Sequence, residues 1–254
     1  MNYRRIIPCL DTRNGRLVKG VHFVDIKELG DPAEAGEAYS KAGADELVFL
    51  DITATLEDRK TFVEAVKRTV ERITVPLTVG GGIRSVEEIG ELLDAGVARV
   101  SINTAAVKRP DFVREAEEEF GRGRIIVAID TRKSGEVPSG FELVVSGGTK
   151  PTGLDAVQWA KRVEDLGAGA ILPTSMDADG TRAGYDIPMT RAISKAINIP
   201  VIASGGAGTL EHLYEAIVKG RADAVLVASI AHYGTYTIRQ MKEYLASKGV
   251  PVRL

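Results

Sequence analysis

Two aspartates occupy the same kind of position in this 254-residue chain. Asp11 follows the apolar run Ile7-Pro8-Cys9-Leu10, and Asp130 follows Val127-Ala128-Ile129. A carboxylate at the end of a buried strand is placed to give or take a proton. Two of them, with pKa values separated by their surroundings, can serve as acid and base. The same positions also suit aspartates that only accept backbone hydrogen bonds where a loop begins. Asp51 ends a third apolar run, but the matching place in the second half holds Ser175, so Asp51 reads as a supporting residue. Glycine turns recur as well. Gly81-Gly82, with Asn103-Thr104 after the next strand, forms one candidate anion cradle, and Gly205-Gly206, with Ala228-Ser229, forms its copy. Backbone N–H groups exposed at such corners hold phosphate. One glycine turn is commonplace, but two in register predict a substrate with a phosphate at each end. Lys19, within Arg16-Leu17-Val18-Lys19-Gly20, is either a mobile cation that closes over a substrate or an ordinary solvated loop charge. His22, His212 and His232 lack metal-ligand spacing. His212 falls in a helical pattern and reads as structural. His232 lies just past the second cradle, within reach of a phosphate, although a structural role is the stronger reading. Cys9 lies in an apolar strand, and the residues imply no metal, no cofactor and no nucleophilic cysteine.

The elements that position these residues also come twice. Val75-Pro76-Leu77-Thr78-Val79-Gly80-Gly81-Gly82 returns as Ile199-Pro200-Val201-Ile202-Ala203-Ser204-Gly205-Gly206, at a spacing of 200 − 76 = 124 residues. Ala42-Gly43-Ala44-Asp45-Glu46-Leu47-Val48 pairs with Leu166-Gly167-Ala168-Gly169-Ala170-Ile171-Leu172. Strands are expected at Ile6–Leu10, Leu47–Leu50, Leu77–Val79, Val100–Ile102, Ile125–Ile129, Ile171–Thr174, Val201–Ala203 and Ala224–Val227. Their unbroken apolar character suits parallel strands covered on both faces. Apolar residues at i, i+3 and i+4 predict helices over Ala33–Ala42, Phe62–Arg72, Val86–Ala95 and Pro110–Phe120. In the second half they fall at Leu154–Leu166, Pro188–Ile197, Leu210–Lys219 and Thr237–Lys248. Asp31-Pro32, Ser85 and Thr209 are start signals, and Gly43, Gly96, Gly167, Gly220 and Gly249 are stop signals.

Strict alternation leaves a closed (β/α)8 barrel or an open doubly wound sheet, and the doubling favours the barrel. No linker interrupts the chain, which predicts one domain over 1–254 with half-barrel repeats of about 1–122 and 123–254. Two long loops, Thr12 to about Gly30 and Thr131–Gly153, leave the C-terminal ends of strands, where barrels of this kind keep their chemistry. The second should hold a small hairpin at Phe141–Val145. Trp159 is expected to pack its helix onto the barrel.

Lys and Arg total 33 against 35 Asp and Glu, a net charge of −2, which speaks against a nucleic-acid or anionic membrane surface. A single cysteine permits no internal disulfide, no apolar run reaches the roughly 20 residues of a membrane span, and the N-terminus does not resemble a signal peptide. A soluble cytoplasmic protein is expected.

Several runs together resemble the cyclase subunit of imidazole glycerol phosphate synthase. In the first half they are Ile7-Pro8-Cys9-Leu10-Asp11, Val18-Lys19-Gly20, Phe49-Leu50-Asp51-Ile52-Thr53-Ala54, Thr78 to Ser85, and Val100 to Val107 with its Asn103-Thr104-Ala105-Ala106 core. In the second they are Val127-Ala128-Ile129-Asp130, Thr174-Ser175-Met176-Asp177, Asp179-Gly180-Thr181, Gly184-Tyr185-Asp186 and Ile202 to Gly208. The likeness runs end to end. The sister isomerase of histidine biosynthesis, also a doubled barrel, lacks the Cys-Leu-Asp and Asn-Thr-Ala-Ala runs. The resemblance implies a lyase in which ammonia attacks a ribulosyl aminoimidazole carboxamide ribotide bearing two phosphates. The imidazole ring closes, releasing imidazole glycerol phosphate and the aminoimidazole carboxamide ribotide. It implies Asp11 and Asp130 as the acid–base pair, one phosphate on Gly82, Asn103 and Thr104, and the other on Asp179, Gly180, Gly206, Ala207, Ala228 and Ser229. Lys19 becomes the closing residue of the first loop, and Thr174 lies beside the reacting centre. Ammonia would arrive through the barrel from a glutaminase partner on the N-terminal face, past a gate of Arg5, Glu46 and Arg99.

The departures gather near that gate. Ala170 stands in place of its glutamate, and Ala98 in place of an aspartate facing the partner. Pro173 should remove a ladder donor and bulge its strand. Ala178 replaces an arginine and Ala231 an aromatic. With one acid against two arginines the gate keeps a net charge of +1, which predicts weakened glutaminase coupling. The same changes fit an engineered or reconstructed variant. Two other readings stay open, a sugar-phosphate isomerase using the same aspartates and a redesigned phosphate-binding barrel with lost or altered chemistry.

Overall fold

The computed structural model describes residues 3–13, 15–21, 24–51 and 56–254. Apolar runs form parallel strands, and each is followed by an amphipathic helix that covers it. The first half contributes β1 (Arg5–Arg13), the hairpin β2 (Arg16–Val21) and β3 (Val24–Gly30), α1 (Pro32–Lys41), β4 (Leu47–Asp51) and α2 (Leu56–Val70). It continues with β5 (Leu77–Gly80), α3 (Val86–Asp94), β6 (Arg99–Ile102), α4 (Thr104–Lys108) and α5 (Asp111–Phe120). The second half contributes β7 (Ile125–Lys133), the hairpin β8 (Phe141–Val145) and β9 (Lys150–Asp155), α6 (Ala156–Asp165), β10 (Ala170–Ser175) and α7 (Ile187–Ala196). It ends with β11 (Ile202–Ala203), α8 (Leu210–Val218), β12 (Ala224–Val227), α9 (Ser229–His232) and α10 (Ile238–Ser247).

Strands β11, β12, β1, β4, β5, β6, β7 and β10 pair in that order, all parallel. The bridges Ile171–Val201 and Thr174–Ser204 join β10 to β11 and close the ring. The result is a single-domain (β/α)8 barrel. Alternate side chains of each strand go to different places. Ile7 and Cys9 meet Val48, Leu172, Ile202 and Leu226 inside the ring, whereas Ile6 and Leu10 pack outward beneath the helices. Both sides are apolar, so the strand sequences do not alternate. Trp159 packs in the layer between helices and barrel, as expected. Among the described residues, no helix is long and apolar enough to cross a membrane.

Start signals act as anticipated: Asp31 caps α1 through the Ala33 amide, Ser85 caps α3 through that of Glu88, and Thr209 caps α8 through that of His212. Several expectations need correction. Helix α2 starts at Leu56, six residues before the expected Phe62. The first long segment is not a loop, because β1 runs on to Arg13 and pairs antiparallel with β2, which pairs with β3. Helix α6 starts two residues after Leu154, since Asp155 caps it through the Val157 and Gln158 amides. Gly220 lacks the left-handed backbone of the other four stop glycines, and Arg221 takes it instead (φ 61°). Pro173 causes no bulge against β7, where register is unbroken from Ala170–Ile126 to Ser175–Thr131. Its carbonyl accepts from the Ser204 amide, so its missing N–H also faces β11, and pairing on that side shrinks to the two bridges.

Candidate active site

Asp11 and Asp130 both point into the C-terminal mouth of the barrel, on strands with three others between them in either direction. Neither ends its strand, contrary to the expectation from sequence. Asp11 pairs with Leu50 and Val18, and Asp130 with Thr174 and Val144, because each strand continues into its own hairpin. The residue after each aspartate anchors it in the same way. The Thr12 hydroxyl donates to the Leu50 carbonyl at 3.2 Å, and the Thr131 hydroxyl to that of Thr174 at 3.3 Å.

Their surroundings differ. The Cys9 thiol lies 3.8 Å from Asp11 Oδ1. Asp130 accepts from Asn103 Nδ2 at 2.9 Å. Burial pushes the Asp130 carboxyl up to about 6, reinforced by the negative charge of Asp179 and opposed by the Asn103 hydrogen bond. A carboxyl with that affinity exchanges a proton near neutrality. The other amide atom of Asn103, Oδ1, is buried with no hydrogen-bond partner among the described residues.

The two cradles are built alike. Asn103 opens α4 with φ −134° and ψ −93°, and Ala228 opens α9 with φ −130° and ψ −84°. A side chain on Gly81 would collide with the Asp51 carbonyl at 2.0 Å, and one on Gly205 would press on that of Ser175 at 3.1 Å, from the matching strand. Gly82 stands exposed at the first turn with φ 67°. Thr104 accepts through Oγ1 from the Ser146 amide at 3.1 Å, so the turn after β8 reaches back to this cradle. At the second, Asp179, Gly180, Gly206, Ala207, Ala228 and Ser229 line one cleft. Thr174 stands between it and Asp130, paired with Asp130 across β10 and β7 and with Ser204 across β10 and β11.

Arg182, Ser204, Gly205 and Leu226 share this second cleft. Arg182 and Ser146 were missed by sequence reasoning. Both have left-handed backbone (φ 60° and 56°), which is uncommon for residues other than glycine. The usable signal for Arg182 was electrostatic, since with alanine at 178 it is the cation among the described residues that line this cleft. Lys19 lies on β2 one residue beyond Val18, the partner of Asp11. His232 does not serve a phosphate: its Nε2 is 2.7 Å from the Cys9 carbonyl and its Nδ1 2.7 Å from the Tyr39 hydroxyl, so the ring ties α9 and α1 to the barrel. His212 is structural, accepting from the Gly208 amide at 3.1 Å.

At the opposite mouth, Glu46 is held by Arg5 and by Arg99, the latter at 2.8 Å. Ala170 lies in the apolar lumen cluster, and the Ala98 carbonyl accepts from Arg124 at 2.9 Å. The profile of the family described as histidine biosynthesis protein matches residues 5–237. The chain belongs to that family. Every barrel strand, both aspartates and both cradles of this histidine-biosynthesis barrel fall within the matched span, and residues 1–4, α10 and the residues after it lie outside. The family's members are enzymes, and among them are the cyclase and the isomerase barrels of the pathway.

Proposed function

We propose that this chain is the cyclase, closing the imidazole ring of a ribulosyl aminoimidazole carboxamide ribotide with ammonia as the nitrogen donor. One observation carries the choice over the isomerase. The two runs that set the cyclase resemblance apart, Cys9-Leu10-Asp11 and Asn103-Thr104-Ala105-Ala106, supply the side chains that touch the two carboxylates. In this reading Gly82, Asn103 and Thr104 hold one phosphate. Asp179, Gly180, Gly206, Ala207, Ala228 and Ser229 hold the other, and the middle of the substrate is stretched between Asp11 and Asp130. The matching backbone at Asn103 and Ala228 supports two equivalent phosphate ends. It also supports reading the chain as half-barrel repeats of about 1–122 and 123–254.

Ammonia attacks the substrate's ketose carbonyl, and the carbonyl oxygen leaves as water after taking protons. Asp130, with its affinity near 6, is suited to deliver a proton as acid and recover one as base. Asp11, on the opposite strand, handles the complementary transfer as the imidazole closes and the carboxamide ribotide departs. Lys19 completes the enclosure from β2, and Thr174 positions the reacting centre. Ammonia enters from a glutaminase docked on the N-terminal face, past Arg5, Glu46 and Arg99. The two arginines on a single acid weaken its passage.

The deciding assay supplies the bisphosphate substrate with ammonium at alkaline pH, where free ammonia needs no partner. Both products should form, and Asp11→Asn and Asp130→Asn should each slow turnover by about 10²-fold or more. Isomerisation of the isomerase's own substrate without ammonia, or full activity in Asp11→Asn, would refute the assignment.

A further inference from the structure

The second cleft has a charge problem if it takes a phosphate. Of its six anticipated residues, five contribute only backbone or small side chains, and the sixth, Asp179, is a carboxylate. Asp179 acts electrostatically as far as Asp130, so its negative charge is felt across the mouth. Neutral N–H groups beside an acid make a poor host for a dianion, because repulsion at short range rivals what the amides supply. The arginine expected at position 178 is an alanine.

We infer that Arg182 is the phosphate-binding cation of this cleft, clamping the second phosphate against the Gly206 and Ser229 backbone. The inference rests on the proposed phosphate site and goes beyond it by naming a residue that the family resemblance does not assign. Three observations place Arg182 there. It lines the cleft together with Asp179, Gly206 and Ser229. Its guanidinium lies 5.2 Å from the centre of the Tyr233 ring, just past the short helix that Ser229 begins, so the cation rests on an aromatic shelf. Its backbone is fixed in the left-handed region (φ 60°), and its carbonyl is packed so tightly against Gly208 that a side chain there would approach it to 1.9 Å. That conformation is costly for a residue with a β-carbon and persists only where neighbours enforce it. A guanidinium presents paired donors that match two phosphate oxygens, which a lysine does as a point charge only.

The test uses inorganic phosphate as probe and reads each cradle separately through its amide resonances, Ser229 for the second and Thr104 for the first. Arg182→Gln should weaken phosphate at Ser229 by roughly tenfold, with Thr104 unchanged. Arg182→Lys should recover part of the loss, and Tyr233→Leu should weaken binding about threefold by removing the shelf. In turnover with ammonium, Arg182→Gln should raise KM for the bisphosphate far more than it lowers kcat. Equal affinity at Ser229 in wild type and Arg182→Gln, equal losses at both cradles, or no phosphate at Ser229 in the wild type would each overturn the inference. Arg182-dependent phosphate binding in a wild type that does not cyclise the bisphosphate would leave the clamp standing and remove the cyclase assignment alone.

Discussion

At the Asp130 carboxyl, burial and the Asp179 charge favour the protonated form, while the hydrogen bond from Asn103 favours the anion. Burial wins, and the group sits near 6 against an ordinary 3.8. Two substitutions should therefore move it in opposite directions. Asn103→Ala removes a donor to the anion and should raise the titration above 6, whereas Asp179→Asn removes a like charge and should lower it. Following the Asp130 carboxyl carbon by NMR through a pH titration checks both, and movement in one common direction would defeat the account. The same shift has a stability consequence. Between pH 3.8 and 6 the folded chain holds a proton here that the unfolded chain has released, so stability falls as pH rises through that window. Above pH 6 the cost is on the order of 1–3 kcal/mol after allowing for residual solvent access. Asp130→Asn should therefore raise Tm at pH 8 while leaving it nearly unchanged at pH 4. An equal effect at both values would mean that the carboxylate is not disfavoured by the fold.

Between strand and helix, the cradle turns depend on close backbone contacts. Gly81 has φ 96° and faces the Asp51 carbonyl, and Gly206 has φ 99° and faces the Gly184 carbonyl, where a side chain would come within 2.1 Å. Alanine at either should cost roughly 2–4 kcal/mol. Alanine at Gly43, with the same hand of backbone but open space around it, should cost about 1–2 kcal/mol. Chemical denaturation of the three variants tests the ranking. The glycine turns and caps were legible because their chemistry is local, and so were the barrel strands, whose apolar runs are long enough to declare themselves. Elements without a local signature were not. Helices α4 and α9, at five and four residues, are too short to show a period. The β2–β3 hairpin was hidden because His22-Phe23, between its strands, carries none of the Asn-Gly or Asp-Gly chemistry that marks a tight turn. Arg182 and Arg221 take left-handed backbone without being glycine or asparagine, so their residue types do not reveal it. The same limit hid Arg182 from the candidate site while Asp11 and Asp130, framed by strand runs, stood out.

Across the whole molecule, the barrel joins the mouth that holds Asp11 and Asp130 to a charged opposite face through an apolar lumen. Glu46 is almost fully buried and answers two arginines, so the arrangement at the lower mouth is one positive charge out of balance. Ala170 starts β10 within the apolar lumen cluster, and its small side chain brings no acid toward the two arginines. Ala170→Glu would bring a second acid to the two arginines and set the local sum to zero. A buried acid facing two guanidinium groups recovers much of its desolvation cost, so the variant should fold with a Tm within a few degrees of the parent. Glu46→Gln should do worse, because it leaves Arg5 and Arg99 without an anion, at a cost of roughly 3 kcal/mol. Function separates the two mouths more sharply. In the proposed cyclisation with ammonium as nitrogen source, Ala170→Glu should leave kcat unchanged, since ammonia supplied from solution need not pass the lower mouth. With glutamine and a glutaminase partner, it should raise the ratio of product formed to glutamine hydrolysed. If that ratio stays fixed, or if turnover with ammonium changes as much as turnover with glutamine, the lower mouth is not the route by which nitrogen reaches the carboxylates.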